Sequence, residues 1–325
     1  MLKSINEYTI IPAVTTTIEH REECNPYAPS FYLPLFTAPM SSVINTDNAE
    51  YFSRYVHTII PRHIELKERL KFLGSNIFIA VSLKEFEDLL ESDYFKYGIE
   101  KGELCYICID LANGHMQKLL DLCLKAKNMY GRKIILMTGN IANPETYKLY
   151  CQIGIDYVRV GIGGGSVCLT SANTGVHYPM GSLLEHIGEI KRKREREDYF
   201  CTKVVADGGF SNFDQIIKAL ALGADYVMLG RIFARCKEAV CAESGEYYGM
   251  STKKAQKEMG KEGNTTSEGI STSIITQYSL AEWISNFTHY LRSAMSYTNS
   301  RTLKEFCDGS HIREMSIDSY RYYAK

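Results

Sequence analysis

The sequence predicts an α/β fold, a (β/α)₈ barrel in which residues 1–325 form one domain. Three observations lead there. Eight short apolar runs recur along the chain, helix-like stretches separate many of them, and polar or glycine-rich residues gather where the runs end. The runs are 35–40, 57–61, 77–82, 104–110, 133–139, 156–161, 203–207 and 225–230. Most are rich in Val, Ile, Phe and Tyr and are continuous rather than alternating, the pattern of parallel strands buried on both faces.

Between the runs, residues 83–90, 116–130, 144–152 and 213–222 read as helices. The last opens with Ser211-Asn212 as capping residues and closes at Gly223, a residue suited to the left-handed turn that ends a helix. An open doubly wound sheet uses the same ingredients and is the alternative. The barrel makes the sharper statement, because its functional residues sit at the C-terminal ends of the strands. Those ends read Asp110, Gly139-Asn140, the segment 161–170, Asp207-Gly208-Gly209 and Gly230-Arg231.

Two longer segments interrupt the series. Residues 171–202 hold Thr174-Gly-Val-His-Tyr-Pro179 and a charged run, 191–198, read as a solvated helix face. Residues 236–275 hold Tyr247-Tyr-Gly-Met-Ser251 and Ser267-Glu-Gly269, and a segment of that length at a barrel mouth reads as a lid.

Composition narrows the function. A net charge of −1 argues against nucleic-acid binding as the main business. No apolar run reaches bilayer length and the N-terminus lacks signal-peptide order, so the expectation is a cytoplasmic protein without membrane contact. The ten cysteines are scattered, which suits a reducing compartment. Cys105-Tyr-Ile-Cys108 has the spacing of a metal or redox pair, but on a strand its two thiols point to opposite faces.

The most informative stretch is Gly161-Ile-Gly-Gly-Gly-Ser-Val-Cys168-Leu-Thr170. Glycines let the backbone turn sharply and approach a ligand, and Cys168 at the rim, with hydroxyls beside it, has the makings of a positioned nucleophile. A glycine-rich loop with a structural thiol is the plainer alternative. Phosphate-binding loops in barrels commonly follow the seventh and eighth strands. Here these are Asp207-Gly208-Gly209 and Gly230-Arg231, to which Ser166 adds a hydroxyl, Arg231 a charge, and Asp207 an acceptor for ribose hydroxyls. Asp-Gly-Gly alone is a turn; the loops together favour a nucleoside monophosphate.

Six stretches then resemble the IMP dehydrogenase/GMP reductase family, in family order and over most of the chain. They are the cysteine loop 161–170, Thr174-Gly-Val-His-Tyr-Pro179, Val205-Ala-Asp-Gly-Gly209, Gly223-Ala-Asp-Tyr-Val-Met-Leu-Gly230, Tyr248-Gly-Met-Ser251 and Ser267-Glu-Gly269. The resemblance implies a barrel that binds a purine nucleotide and a nicotinamide dinucleotide, NADPH or alternatively NADH. By family pattern Cys168 attacks purine C2 and Thr170 with Glu268 handles protons. Ser166, Asp207, Gly208, Gly209, Gly230 and Arg231 hold phosphate and ribose, and Gly249, Met250 and Ser251 contact the base. Asp110, Asn113 and Gly114, with Ile162 and Gly163, face the cofactor. The carbonyls of Gly163, Gly165 and Cys168 correspond to a monovalent-cation site, suited to K⁺, and the family suggests a homotetramer.

Within the family the resemblance leans to the reductase branch. The segment from Met250 to Ser267 is short and carries no Arg-Tyr pair, whereas dehydrogenases have a long flap with one. No stretch is long enough for an inserted regulatory domain, and both Ala112-Asn-Gly114 and Thr174–Pro179 follow reductase patterns. The expectation is NADPH-dependent conversion of GMP to IMP and ammonia through a covalent Cys168 adduct. An IMP dehydrogenase with a short flap, a related activity on a modified purine nucleotide, and a silent nucleotide-binding protein are the alternatives. Departures from the pattern are Arg231 in place of a small residue, Thr265 in place of an arginine, and Gly269-Ile-Ser-Thr-Ser-Ile274.

Overall fold

The structure, a computed structural model, describes residues 1–100, 104–259 and 267–323. Each apolar run holds one strand, the fifth strand reaching two residues past its run: β1 (Leu35–Thr37), β2 (Ile59–Ile60), β3 (Phe78–Val81), β4 (Cys105–Ile109), β5 (Ile134–Ile141), β6 (Tyr157–Val160), β7 (Lys203–Asp207) and β8 (Tyr226–Leu229). They form one eight-stranded sheet in which chain neighbours are sheet neighbours and β1 lies beside β8. All pairings in this sheet are parallel. The remaining seam closes at His57, whose N–H donates to the Leu35 carbonyl and whose carbonyl accepts from Thr37 N–H, at 3.1 and 2.9 Å. A doubly wound sheet would reverse strand order and keep two edges. This order does neither, so the fold is a (β/α)₈ barrel.

The helices start and stop for local reasons. The helix Leu83–Glu91 opens on a capping box, with Ser82 Oγ accepting from Glu85 N–H and the Glu85 carboxylate accepting from Ser82 N–H. Pro144–Ile153 has Asn143 as its cap, proline in the first turn, and Gly154 at φ 79° as its stop. Phe213–Ala221 begins where expected, yet the Asn212 side chain makes no cap. Gln215 ties the preceding turn to the helix instead, its Oε1 accepting from the N–H and hydroxyl of Ser211 at 2.8 and 3.1 Å. A second correction concerns the charged run: Lys191 is buried on the helix Met180–Arg196 and pairs with Asp225 at 2.7 Å. The sequence placed it on a solvated face because its partner lies on a strand edge that periodicity does not reveal.

The barrel interior is layered, as strand alternation requires. At the N-terminal ends of the strands, Phe36, Phe78, Tyr157 and Tyr226 pack edge to face with ring centroids 5.2 to 5.7 Å apart. His57 stacks on Phe36 at 4.7 Å, and burial pushes its pKa down to about 4. Two residues beyond Tyr157 on β6, Arg159 points inward at the opposite end, where Asp207 from the end of β7 and Asp110 from just past β4 join it.

The segment 236–275 is not uniformly a mouth loop. Cys236, Ala239 and Cys241 are buried in the core, and Glu246–Tyr248 pairs antiparallel with Ser271–Ser273. Between those strands lies the short helix Lys253–Glu258. Among the described residues no helix is long and apolar enough to cross a membrane.

Candidate active site

A cleft of about 250 Å³ opens at the C-terminal ends of the barrel strands, near the lower end of the roughly 300–1,000 Å³ range of small-molecule sites. Glycine geometry builds its wall. Gly161 has φ 127°, and a Cβ there would lie 2.2 Å from the Asp207 carbonyl. Gly209 has φ 89°, and a Cβ there would lie 2.7 Å from the Gly164 carbonyl. The loops after β6 and β7 therefore interlock in a way only glycine allows.

Cys168 stands in the first of these loops, with its N–H donating to the Gly165 carbonyl at 3.0 Å. A two-residue antiparallel contact then brings the distant Glu268 alongside. Leu169 N–H donates to the Glu268 carbonyl at 2.7 Å and Ile270 N–H to the Val167 carbonyl at 3.0 Å. The side chains complete a line: Cys168 Sγ is 3.3 Å from Thr170 Oγ1, and the Thr170 hydroxyl donates to Glu268 Oε2 at 2.6 Å. A thiol, a hydroxyl and a carboxylate in series form a proton path away from sulfur. Cys168 is partly exposed in the cleft. Cys108, by contrast, is buried in the barrel, where burial pushes its thiol up to about 12, the opposite of an activated nucleophile.

Below the thiol lies an ionic floor. Arg159 on β6 donates from Nη1 to Asp110 Oδ1 at 2.5 Å and from Nη2 to Asp207 Oδ2 at 2.8 Å. Arg62 Nε donates to Asp110 Oδ2 at 3.0 Å. Asn140 Nδ2 donates to Asp207 Oδ2 at 2.7 Å and to the Gly161 carbonyl at 2.9 Å. Burial alone would raise the Asp110 pKa, but the two guanidinium groups outweigh it and hold the carboxyl below the usual range. Burial likewise disfavours the Arg159 cation, and the two carboxylates more than restore it.

At the far wall, Gly208, Gly209, Gly230, Arg231 and Ser166 line the cleft together, as the sequence expects. Tyr247 joins them. Its buried hydroxyl lies 3.5 Å from Met40 Sδ, and its pKa is pushed upward chiefly by burial, which keeps the hydroxyl protonated. A Cβ at Gly230 would lie 2.8 Å from that hydroxyl, so glycine there lets Tyr247 reach the wall. Arg231 carries a buried Nε with no hydrogen-bond acceptor. Gly249, Met250 and Ser251 close the cleft from the lid side.

Of the residues expected to face a cofactor, Asp110, Ile162 and Gly163 line the cleft. Asn113 and Gly114 do not. Asn113 is exposed and its Oδ1 accepts from His115 N–H at 3.0 Å, while Gly114 is buried against Asn140. Thr265 lies outside the described residues. Sequence reading placed Asn140 at a strand end without giving it a role, and named no role for Arg62, Arg159 or Tyr247. Arg159 left one trace: it is the only charged residue between Tyr157 and Val160, in a strand otherwise reading as buried on both faces. Among the described residues no group of three or more His, Cys, Asp or Glu side chains could hold a metal ion.

Fold and site together define a barrel enzyme built around a thiol, with a proton path on one side and an anion-suited wall on the other. A sequence profile of the IMP dehydrogenase / GMP reductase domain matches residues 99–321. The chain belongs to that family. It is 29% identical over 310 residues to a protein named GMP reductase from Onchocerca volvulus, covering 90% of this chain and 83% of the relative. Two proteins of the same name from Buchnera aphidicola are similar as well. That of subsp. Schizaphis graminum (strain Sg) is 32% identical over 297 residues, covering 85% of this chain and 81% of the relative. That of subsp. Baizongia pistaciae (strain Bp) is 34% identical over 287 residues, covering 84% and 80%.

Proposed function

We propose that this chain is an oxidoreductase that converts GMP to IMP and ammonia with NADPH, by way of a covalent bond between Cys168 and purine C2. The line Cys168–Thr170–Glu268 is the observation that carries the reading, and the relatives named GMP reductase support it. The thiol proton passes through the Thr170 hydroxyl to Glu268, and the thiolate bonds to C2. Glu268 then returns that proton through Thr170 to the departing amino nitrogen, and ammonia leaves with its bonding pair. General acid help of this kind is worth roughly 10²–10⁴ in rate. When the C2–S bond later breaks, Cys168 leaves as thiolate and the purine is IMP.

The far wall supplies the phosphate seat. Ser166, Tyr247 and the amides of Gly208, Gly209 and Gly230 are neutral donors, and Arg231 adds a full charge. Asp207 Oδ2 is occupied by Arg159 and Asn140, which leaves Oδ1 for ribose hydroxyls. Gly249, Met250 and Ser251 hold the base.

Leu111, Ala112 and Ile162 form an edge of the cleft beside the Asp110 ion pairs, a surface that fits a flat nicotinamide ring. A bound nicotinamide supplies the hydride that replaces sulfur at C2. The carbonyls of Gly163, Gly165 and Cys168 are neutral oxygen donors, chemistry that suits K⁺ rather than a small divalent ion. Gly163 O already accepts from the Ser171 hydroxyl and Gly165 O from Cys168 N–H, and each keeps a lone pair. Bound there, a cation would brace the cysteine loop.

The short Met250–Ser267 segment without an Arg-Tyr pair favours reduction over hydrolysis of the adduct. The test is absorbance at 340 nm with GMP plus NADPH or NADH, with ammonia assayed in parallel. GMP-dependent oxidation of NADPH is the expected result. NAD reduction with IMP and no reaction with GMP would reverse the assignment.

A further inference from the structure

We propose that Arg159 is a positioning residue that couples the ribose seat to the cofactor seat, so that nucleotide and dinucleotide each alter the other's affinity. The inference rests on the reading above for what occupies the two seats. Its geometry is independent of that reading. Arg159 spreads one planar guanidinium over two carboxylates that come from strands on either side of it in the barrel. Nε and Nη2 both hold Asp207 Oδ2, at 3.1 and 2.8 Å, and Nη1 holds Asp110. Arg159 and Asp110 are each only 7% exposed, so water does not loosen the bridge.

Two features make this bridge a transmitter. Asp207 Oδ2 already takes three hydrogen bonds, from Arg159 Nε, Arg159 Nη2 and Asn140, so the carboxylate cannot turn toward a ligand without moving the guanidinium. The guanidinium is rigid and planar, with its donors at fixed angles, so a tilt forced at Nη2 appears at Nη1. Asp110 is tied on its other oxygen to Arg62, which itself lines the cleft. Sugar hydroxyls donating to Asp207 Oδ1 therefore set the plane in which Asp110 is presented to the second ligand. A lysine would carry the same charge, but a point charge cannot hold both carboxylates in one plane.

Coupling between two sites is reciprocal and commonly amounts to 5- to 150-fold. The experiment titrates GMP by calorimetry with and without saturating NADP⁺, a pair that cannot react, in wild type, Arg159→Lys and Asp110→Asn. Wild type is expected to show coupling in that range, and both variants less than about twofold. Asp110→Asn keeps the shape of the site and covers the case in which Arg159→Lys does not fold. Wild-type coupling retained in either folded variant, or a lowered melting temperature as the sole effect, overturns the proposal, as does absence of coupling in wild type. A protein that reduces a different purine nucleotide would sink the GMP assignment alone, and the titration would then use that nucleotide.

Discussion

The two ends of the barrel interior are built from the same strands and solve opposite problems. On β6, Tyr157 joins the aromatic layer at one end and Arg159, two residues on, anchors the ionic floor at the other. On β3, Phe78 fills the closed end while Ala80 leaves space above it. The aromatic end gains stability from every ring it excludes from water. The ionic end desolvates two arginines and two carboxylates, an arrangement that strains stability unless every partner is in place. A barrel can carry such a floor because the other end holds it together.

That contrast predicts where mutations should hurt. Cys168→Ala at the mouth should lower turnover by roughly 10⁴–10⁶, with melting temperature little changed. Steady-state kinetics and a thermal melt on one preparation check both halves, and residual turnover within tenfold of wild type would defeat the covalent mechanism. Phe36→Ala at the closed end should do the reverse. Loss of a fully buried ring costs about 3–5 kcal/mol, while kcat per folded molecule stays near wild type. Urea unfolding reads the first and active-site titration the second.

His57 gives a smaller and more specific contrast. Its pKa falls from an ordinary 6.5 to about 4 because burial disfavours the imidazolium. Between those values the unfolded chain binds a proton that the folded chain refuses. Stability from this residue is therefore intact above pH 6.5, declines as pH falls toward 4, and levels off below. The full difference is about 3 kcal/mol. Replacing His57 with Phe should flatten that part of the stability curve between pH 7 and 4.5, measured by denaturant titration at each pH. An unchanged slope would show that other groups, His63 and His115 among them, set the acid response.

Much of this was legible in the sequence, and the exceptions share a cause. The eight apolar runs each contain a strand because continuous Val, Ile and Tyr have no other way to bury both faces. The glycines of 161–165 and 208–209 were read as sharp turns, and their positive φ values at Gly161, Gly163, Gly208 and Gly209 let the two loops pack against each other. Arg159 went unread because its meaning depends on Asp110 and Asp207, which only strand order places on either side. The buried Lys191–Asp225 pair escaped for the same reason. Asn113 and Gly114 were read as cofactor-facing from their motif; Asn113 is exposed with its side chain tied to His115 N–H, and Gly114 packs against Asn140 outside the cleft lining.

The sequence by itself determined the barrel and the polar end of it, and it singled out Cys168 as a candidate nucleophile, since each follows from residue type and order along the chain. Tertiary structure decided what surrounds that thiol. Only barrel closure and the pairing of Val167–Leu169 with Glu268–Ile270 bring a carboxylate 98 residues away onto Thr170. Only the interior layering turns three isolated charges, just past β4 and on β6 and β7, into one connected floor. Covalent order carries chemistry that is local; proximity between strands carries the rest.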